Sequence, residues 1–379
     1  MNLPLKKLQS PPWIEIDRNH YLWAQLFHFD IPLLIGLCLL AGVGLVVLYS
    51  AGGGDLDIVF RQILRLAMGF GAMGLFAQIP HRYLDRVSPW LYLVGVVLLL
   101  GVFFKGDIGK GARRWLDLGI LRFQPSEFMK MAMPLAIAWL LANATLPPRL
   151  WRLIISAVMI LLPVALIAKQ PDLGTALLVA SSGIFTLFLG GMSWWLIGSL
   201  VASISGLAPV AWHFLHDYQR ARVMMFLNPE SDPLGAGYHI IQSKIALGSG
   251  GLYGKGWLNG TQAHLDFIPE RSTDFIFAVF GEEFGLMGAI LLMILYLFII
   301  ARGLYIAIQA QGSFARLVAG SITLTFFVYV FVNLGMVSGL LPVVGIPLPL
   351  ISYGGTSLVT LMAAFGILMS VATHRQLAE

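Results

Sequence analysis

The sequence predicts an all-α polytopic membrane protein, with about ten transmembrane helices and a long extracytoplasmic loop between the seventh and the eighth. Three observations predict it. Hydrophobic residues make up 58% of the 379 and charged residues only 11%, a balance too apolar for a water-soluble core. Apolar runs of about 18 residues or more recur along the whole chain. The Lys and Arg between them concentrate on alternate connections, the pattern of a chain that crosses a bilayer repeatedly. The net charge of +5 is therefore read by its placement, and it does not point to nucleic acid.

Residues 1–30 form a polar cytoplasmic leader with Lys6, Lys7 and Arg18. The first span, near 31–50, holds the single cysteine, Cys38, so no internal disulfide forms. No small-residue cleavage site follows a short apolar core, which makes this a retained anchor and not a signal peptide. Further spans lie near 60–79, 87–104, 125–142, 150–168, 172–190, 193–213, 274–301, 316–338 and 350–372, completing a membrane domain over 31–373 and leaving a tail at 374–379. An even count places both termini on one side, shared by Arg82, Arg86, Arg149, Arg152, Arg302, Arg316 and Arg375. The positive-inside rule makes that side the cytoplasm. The 51–59 loop, with Asp55, Asp57 and no cation, fits the outside.

Two outer segments hold their charge against that trend. Residues 105–124 carry Lys105, Lys110, Arg113, Arg114 and Arg122, and the loop 214–273 carries Arg220, Arg222, Lys244, Lys255 and Arg271. Attraction to anionic headgroups is the ordinary explanation; an anionic ligand at the outer surface is the functional one. Arg61 and Arg65 share one face near the outer end of the second span. The apolar stretch YHIIQSKIALGSGGLYG is too short to cross, so it lies at the interface or dips into it. Overlapping its end, GSGGLYGKG lacks the Ser or Thr that a phosphate loop needs after its Lys. The segment 341–357, with Pro342, Pro347, Pro349 and paired glycines, is excluded from regular helix, and irregular backbone at membrane depth must line protein or a wet cavity.

Ionisable groups inside the apolar spans cost free energy and are usually kept there for a function. Glu127 and Lys130 stand three apart on the fourth span, as an ion pair or as part of a site. Asp172 follows Pro171 at the outer start of the sixth, where a helix cap explains it nearly as well as a functional role. Glu270, Arg271 and Asp274 run straight into the eighth span, with Glu282 and Glu283 about two turns deeper and expected to be protonated or paired with a cation from another span. Ser272 or Thr273 capping that helix beside Asp274 is the structural alternative. One outer carboxylate, several cations and Gly/Pro backbone suit a lipid-linked diphosphate: the cations hold the leaving group and Asp274 takes a proton from an attacking hydroxyl. Asp274, Glu270 and the diphosphate could hold Mg²⁺ or Mn²⁺, although nothing in the sequence requires a metal.

The stretches GARRWLDLGILRFQPSEFMK, KQPDLGTA, YQRARVMMFLNPESDPLGAGYHIIQSKIALGSGG, FIPERSTDFIFAVFGEE and GIPLPLISYGG resemble, in order and over almost the whole chain, the signatures of the SEDS family (shape, elongation, division and sporulation). Within it, GKGWLNGTQAHLDFIPERSTDF looks like the branch serving elongation and rod shape more than the division branch. The resemblance implies a ten-helix glycosyltransferase that polymerises lipid II into β-1,4 glycan outside the cytoplasmic membrane, with inversion. It implies a class B penicillin-binding protein, the cross-linking transpeptidase, as partner within the elongation machinery. It maps the essential acid onto Asp274, the fourth-span pair onto Glu127 and Lys130, and the Trp after the basic pair onto Trp115. Ser272 stands where the family more often has His, which argues against a His-assisted base. The candidate substrate-binding set is then Lys130, Glu127, Arg113, Arg114, Trp115, Arg61, Asp172, Arg220, Lys244 and Glu270. The rival functions are a flippase for lipid-linked precursor, which calls for midplane charge and an inverted repeat, and a non-catalytic scaffold for the transpeptidase.

Overall fold

The computed structural model describes residues 28–109, 112–117, 122–142, 148–193, 195, 196, 198, 199, 202, 206, 220, 224, 237–265, 267, 268 and 270–374. Its long helices are α1 (Ile31–Ala51), α2 (Leu56–Ala77), α3 (His81–Lys105), α4 (Pro125–Ala142), α5 (Leu150–Lys169), α6 (Leu173–Leu189), α9 (Ile276–Gln309), α10 (Ser313–Val337) and α11 (Thr356–Thr373). Among the described residues, seven helices are long and apolar enough to cross a membrane by length and composition; α4, with its charged pair, and the shorter α6 are not among them. The span expected at 193–213 and the cation Arg222 lie largely or wholly outside the described residues.

Apolar faces decide the packing. One core joins α1, α2, α9, α10 and α11, and a second joins α3, α4, α5, α6 and α10. Helix α10 serves both, and most of its surface is buried, as is that of α4. Polar side chains on these two helices therefore face protein and not lipid. At one end of the bundle Asp30 caps α1 and pairs with Arg302 of α9 at 2.7 Å.

The segment between α3 and α4, expected only as a charged outer segment, is a small antiparallel sheet of β1 (Asp107–Gly109), β2 (Ala112–Asp117) and β3 (Arg122–Phe123). Trp115 sits opposite Asp107, and Leu116 opposite Phe123. Between α6 and α9, α7 (Tyr238–Ser249) is a 12-residue helix, about 18 Å long and too short to span. A single turn, α8 (Thr261–His264), follows.

The eighth expected span is not one regular helix. Helix α9 is broken at Gly285, whose φ of 64° and ψ of −164° lie where essentially only glycine goes. A break at membrane depth frees backbone groups that lipid cannot satisfy. The glycine-rich turn after α7 supplies the partners: Lys255 and Gly256 N–H donate to the carbonyls of Glu282 and Glu283 at 3.0 Å, and Leu286 and Met287 N–H donate to those of Gly251 and Leu252 at 3.0 Å. A Cβ at Gly254 would stand 2.1 Å from the Glu283 carbonyl oxygen, and one at Gly250 equally close to that of Gly281. These glycines permit backbone to meet backbone.

The two deep glutamates are secured differently, Glu282 by the docked segment and Glu283 by α1. Glu282 is fully buried and pairs with Lys255 Nζ at 2.6 Å, accepting also from Thr261 Oγ1 at 3.0 Å and Gln262 N–H at 3.1 Å. Its cation thus comes from the turn that follows α7 and not, as expected, from another membrane span. Glu283 accepts from Ser50 Oγ of α1.

Candidate functional site

At one end of the bundle the start of α4, the cap of α6, the sheet, the segment before α9 and the segment 345–355 enclose an open cavity of about 260 Å³. Arg114, Trp115, Glu127, Lys130, Asp172, Glu270 and Asp274 all line it, so seven predicted side chains, distant in sequence, meet at one place. Tyr329 of α10 closes its inner wall.

The cation on α4 is fixed by its own helix. Pro125 opens α4, and Glu127 and Lys130 pair at 2.6 Å with both side chains nearly buried. Thr360 Oγ1 of α11 lies 3.2 Å from Glu127 Oε2, and Lys130 Nζ stands 5.0 Å from the Tyr329 ring centroid. The pairing fills one carboxylate while the ammonium still borders the cavity, placing a positive charge against an anionic group there.

Arg114 projects from β2 and donates to the carbonyls of Gln170 (3.3 Å) and Pro171 (2.6 Å), 4.0 Å from Asp172 Oδ2. Asp172 caps α6 by accepting from Thr175 N–H at 3.2 Å and takes a second bond from Gln124 Nε2 at 3.0 Å. Its structural role as a cap is present together with its place in the cavity wall.

Asp274 lies before the first residue of α9, which has Phe275 at its N-cap position without a side-chain cap bond. The alternative of Ser272 or Thr273 as helix cap is therefore replaced: Thr273 Oγ1 instead donates to Glu270 Oε2 at 2.8 Å. Glu270 is an exposed residue with φ of 54°, unusual for a side chain with a Cβ. His239 of α7 stacks on Phe275 with 5.6 Å between centroids, and burial lowers its imidazole below the usual value although Glu270 opposes the shift.

The Pro/Gly segment is irregular from 340 to 355, and α11 starts at Thr356 and not near 350. It is tied down from several sides. Tyr296 Oη donates to the Pro349 carbonyl at 2.7 Å, Gln62 Nε2 to that of Ser352 at 3.3 Å, and Tyr353 N–H to that of Ser272 at 2.8 Å. Gly345, at φ of 75°, faces Asp274: a Cβ there would stand 3.3 Å from Oδ2.

Some predicted residues lie elsewhere. Arg61 is exposed on α2 and does not line the cavity. Arg65, one turn further along the same face, is the arginine that reaches the site segment, donating to the Gly354 carbonyl at 3.3 Å and stacking 4.1 Å over Tyr353. This corrects the choice between two arginines that periodicity alone could not separate. Lys244 is exposed on α7 beside Gly339 and also outside the cavity lining. Arg220 is partly buried but its chain neighbours lie outside the described residues, as does the Arg113 side chain. Sequence reasoning missed Tyr329, Asn333 and Thr360. Their signal was a polar side chain on an otherwise apolar, buried helix, a position that faces protein.

For a metal, the described residues contain no group of three or more His, Cys, Asp or Glu placed to hold one ion. Of the carboxylates at the cavity, Glu127 is paired, Asp172 caps a helix and Glu270 accepts from Thr273; Glu270 and Asp274 stand together just before α9.

Comparison with known proteins agrees with this architecture. The chain matches the family of cell cycle proteins FtsW, RodA and SpoVE over residues 24–377. It is 56% identical over 351 residues to peptidoglycan glycosyltransferase MrdB of Escherichia coli strain K12, covering 92% of this chain and 95% of that one. Peptidoglycan glycosyltransferase RodA of Treponema pallidum is 32% identical, with 90% and 97% covered. Among solved structures, a chain of a peptidoglycan synthase complex that coordinates polymerization and crosslinking superposes with a TM-score of 0.81 at 32% identity, covering 92% and 99%. The rod shape determining protein RodA of Thermus thermophilus superposes at 0.70 and 29%, covering 92% and 98%.

Proposed function

The chain belongs to the FtsW/RodA/SpoVE family of cell cycle proteins, and from that premise we propose that it is a peptidoglycan glycosyltransferase that polymerises lipid II into β-1,4 glycan at the outer face of the cytoplasmic membrane, for cell elongation. The observation that carries the mechanism is the convergence of Asp274, Lys130 and Arg114 on one cavity. A hydroxyl of the acceptor sugar attacks the anomeric carbon that bears the diphosphate. The new C–O bond forms as the bond to diphosphate breaks, inverting that carbon, and the hydroxyl proton passes to the Asp274 carboxylate. Lys130 and Arg114 face the charge that grows on the leaving diphosphate, and Trp115 offers a flat apolar surface to sugar. Asp274 and Glu270 are the residues that would hold Mg²⁺ or Mn²⁺ with the diphosphate; such an ion would add positive charge at the leaving group.

The partner we propose is a class B penicillin-binding protein, a reading supported by the fold shared with a chain from a synthase complex. The purified protein, given lipid II, is expected to make glycan polymer, and to make more when the cognate transpeptidase is present. Chelator tests the ion in the same assay: a rate that falls and returns with Mg²⁺ or Mn²⁺ supports a bound metal, and an unchanged rate assigns the diphosphate to Lys130 and Arg114. Absence of polymer under every condition would reject the polymerase reading.

The orientation we propose puts both termini in the cytoplasm and the cavity outside, where no nucleotide-sugar is available and a lipid-linked donor must serve. With Cys38 replaced, a cysteine at Ala263 is expected to react with a membrane-impermeant thiol reagent in intact spheroplasts. One at Ser313, at the opposite end of the bundle, is expected to react only after lysis. The reverse pattern would overturn the topology.

A further inference from the structure

Asp274 is held by two side chains from outside its own segment. Asn333 of α10 is fully buried, and its Nδ2 donates both hydrogens, one to the Asp274 carbonyl at 2.9 Å and one to the Ile346 carbonyl at 2.7 Å. Ser352, 3% exposed, donates through Oγ to the Thr273 carbonyl at 2.6 Å and accepts from Leu348 N–H at 2.7 Å. The peptide planes on both sides of the Asp274 Cα are thereby pinned, by Ser352 before it and Asn333 after it. Fixing both planes fixes φ and ψ of Asp274, and with them the direction in which its Cβ leaves the backbone. Each bond also has a second end on the 341–355 segment, so Asp274 is registered against the wall that lines the substrate cavity.

The chemistry explains why these residue types are needed. Two converging carbonyl oxygens repel one another, and a compact group with two donors on one atom joins them; the amide nitrogen of Asn is such a group. The opposite assignment of that amide would set its oxygen against both carbonyls. A hydroxyl that donates in one direction and accepts from the other performs the complementary task at Ser352. Neither side chain lines the cavity apart from the backbone they hold, so neither takes part in the reaction itself. We propose that Asn333 and Ser352 are positioning residues that aim the Asp274 carboxylate at the acceptor hydroxyl.

The inference rests on the reading of Asp274 as the base, and the test separates the two. Asn333→Leu removes both donors at similar volume, and Ser352→Ala deletes one oxygen. Each variant, purified with the transpeptidase partner and checked for an unaltered melting profile, is assayed for kcat and for KM toward lipid II. A carboxylate misplaced by about 1 Å costs roughly 100-fold in rate. The expected result is a kcat lower by about 10- to 100-fold with KM within about twofold, and recovery of kcat in Ser352→Thr, which keeps the hydroxyl. A wild-type kcat in folded Asn333→Leu or Ser352→Ala overturns the proposal, and so does a loss that appears only in KM. If Asn333→Leu does not fold, the Ser352→Ala and Ser352→Thr pair decides. Asp274→Asn runs alongside: an active Asp274→Asn defeats the base assignment itself, whereas an inactive one beside a fully active Ser352→Ala defeats only the positioning role.

Discussion

Asp274→Asn is expected to abolish glycan polymerisation while the protein still accumulates, folds and binds its transpeptidase partner. The amide keeps the shape of the carboxylate but cannot accept a proton, and a positioned general base contributes about 100- to 10,000-fold in rate. The substitution leaves in place the bonds that run to main-chain carbonyls, from Asn333 to that of Asp274 and from Ser352 to that of Thr273. An unaltered melting profile in Asp274→Asn lets loss of activity be read as loss of chemistry. The measurement is polymer formed from lipid II by purified variant and wild type at equal concentration. Polymer at close to the wild-type rate would remove Asp274 from the mechanism and leave the scaffold reading in its place.

Lys130→Ala is expected to have a compound effect, and a second variant separates its parts. Lys130 pairs with Glu127 at 2.6 Å, and both side chains are less than a tenth exposed. Removing the cation leaves a carboxylate buried without its charge partner, which typically costs about 3–5 kcal/mol. It also removes a charge-assisted contact to phosphate, worth roughly 1.5–3 kcal/mol, or about 10- to 100-fold in turnover. Glu127→Gln with Lys130→Met takes away both charges at nearly constant volume. The double variant is expected to recover most of the melting temperature lost in Lys130→Ala and none of its turnover. Recovery of both would make the pair purely structural.

The two variants exploit a difference that sequence spacing could not reveal. That Glu127 and Lys130 share a face follows from being three apart on a helix. That the pair is buried and also borders a cavity depends on α10 and α11, which bring Tyr329 and Thr360 to it. Arg61 and Arg65 make the same point in reverse. Four residues apart, they are equivalent by periodicity, but only Arg65 is at the height where Gly354 and Tyr353 arrive. Period gives the face of a helix; it does not give the level along the axis at which a neighbour meets it.

The break in α9 was hidden for a related reason. The run from Ile276 to Ile300 is apolar apart from Glu282 and Glu283, and the glycines inside it, Gly281, Gly285 and Gly288, are each compatible with helix. Only the approach of the 250–256 turn, with its carbonyls and N–H groups in register with the freed ones, makes an open helix at Gly285 stable. The sheet at 107–123 likewise escaped a reading by helical periodicity, because its three strands are two to six residues long.

By itself the sequence determined the solvent in which this protein folds, the approximate position of most long helices, the irregularity of the Pro/Gly segment and the identity of the charged groups. These follow from composition and from local spacing, because lipid imposes helix on any apolar run long enough to cross it. Tertiary structure alone decided which of those groups meet. Asn333 reaches Asp274 across 59 residues and Gln62 reaches Ser352 across 290, and hydrogen bonds of that span leave no local pattern. The aim of one carboxylate is set by side chains on a helix and a loop that follow it in the chain, because the backbone dihedrals of a residue outside any helix are fixed only by whatever holds the peptide planes on either side of it.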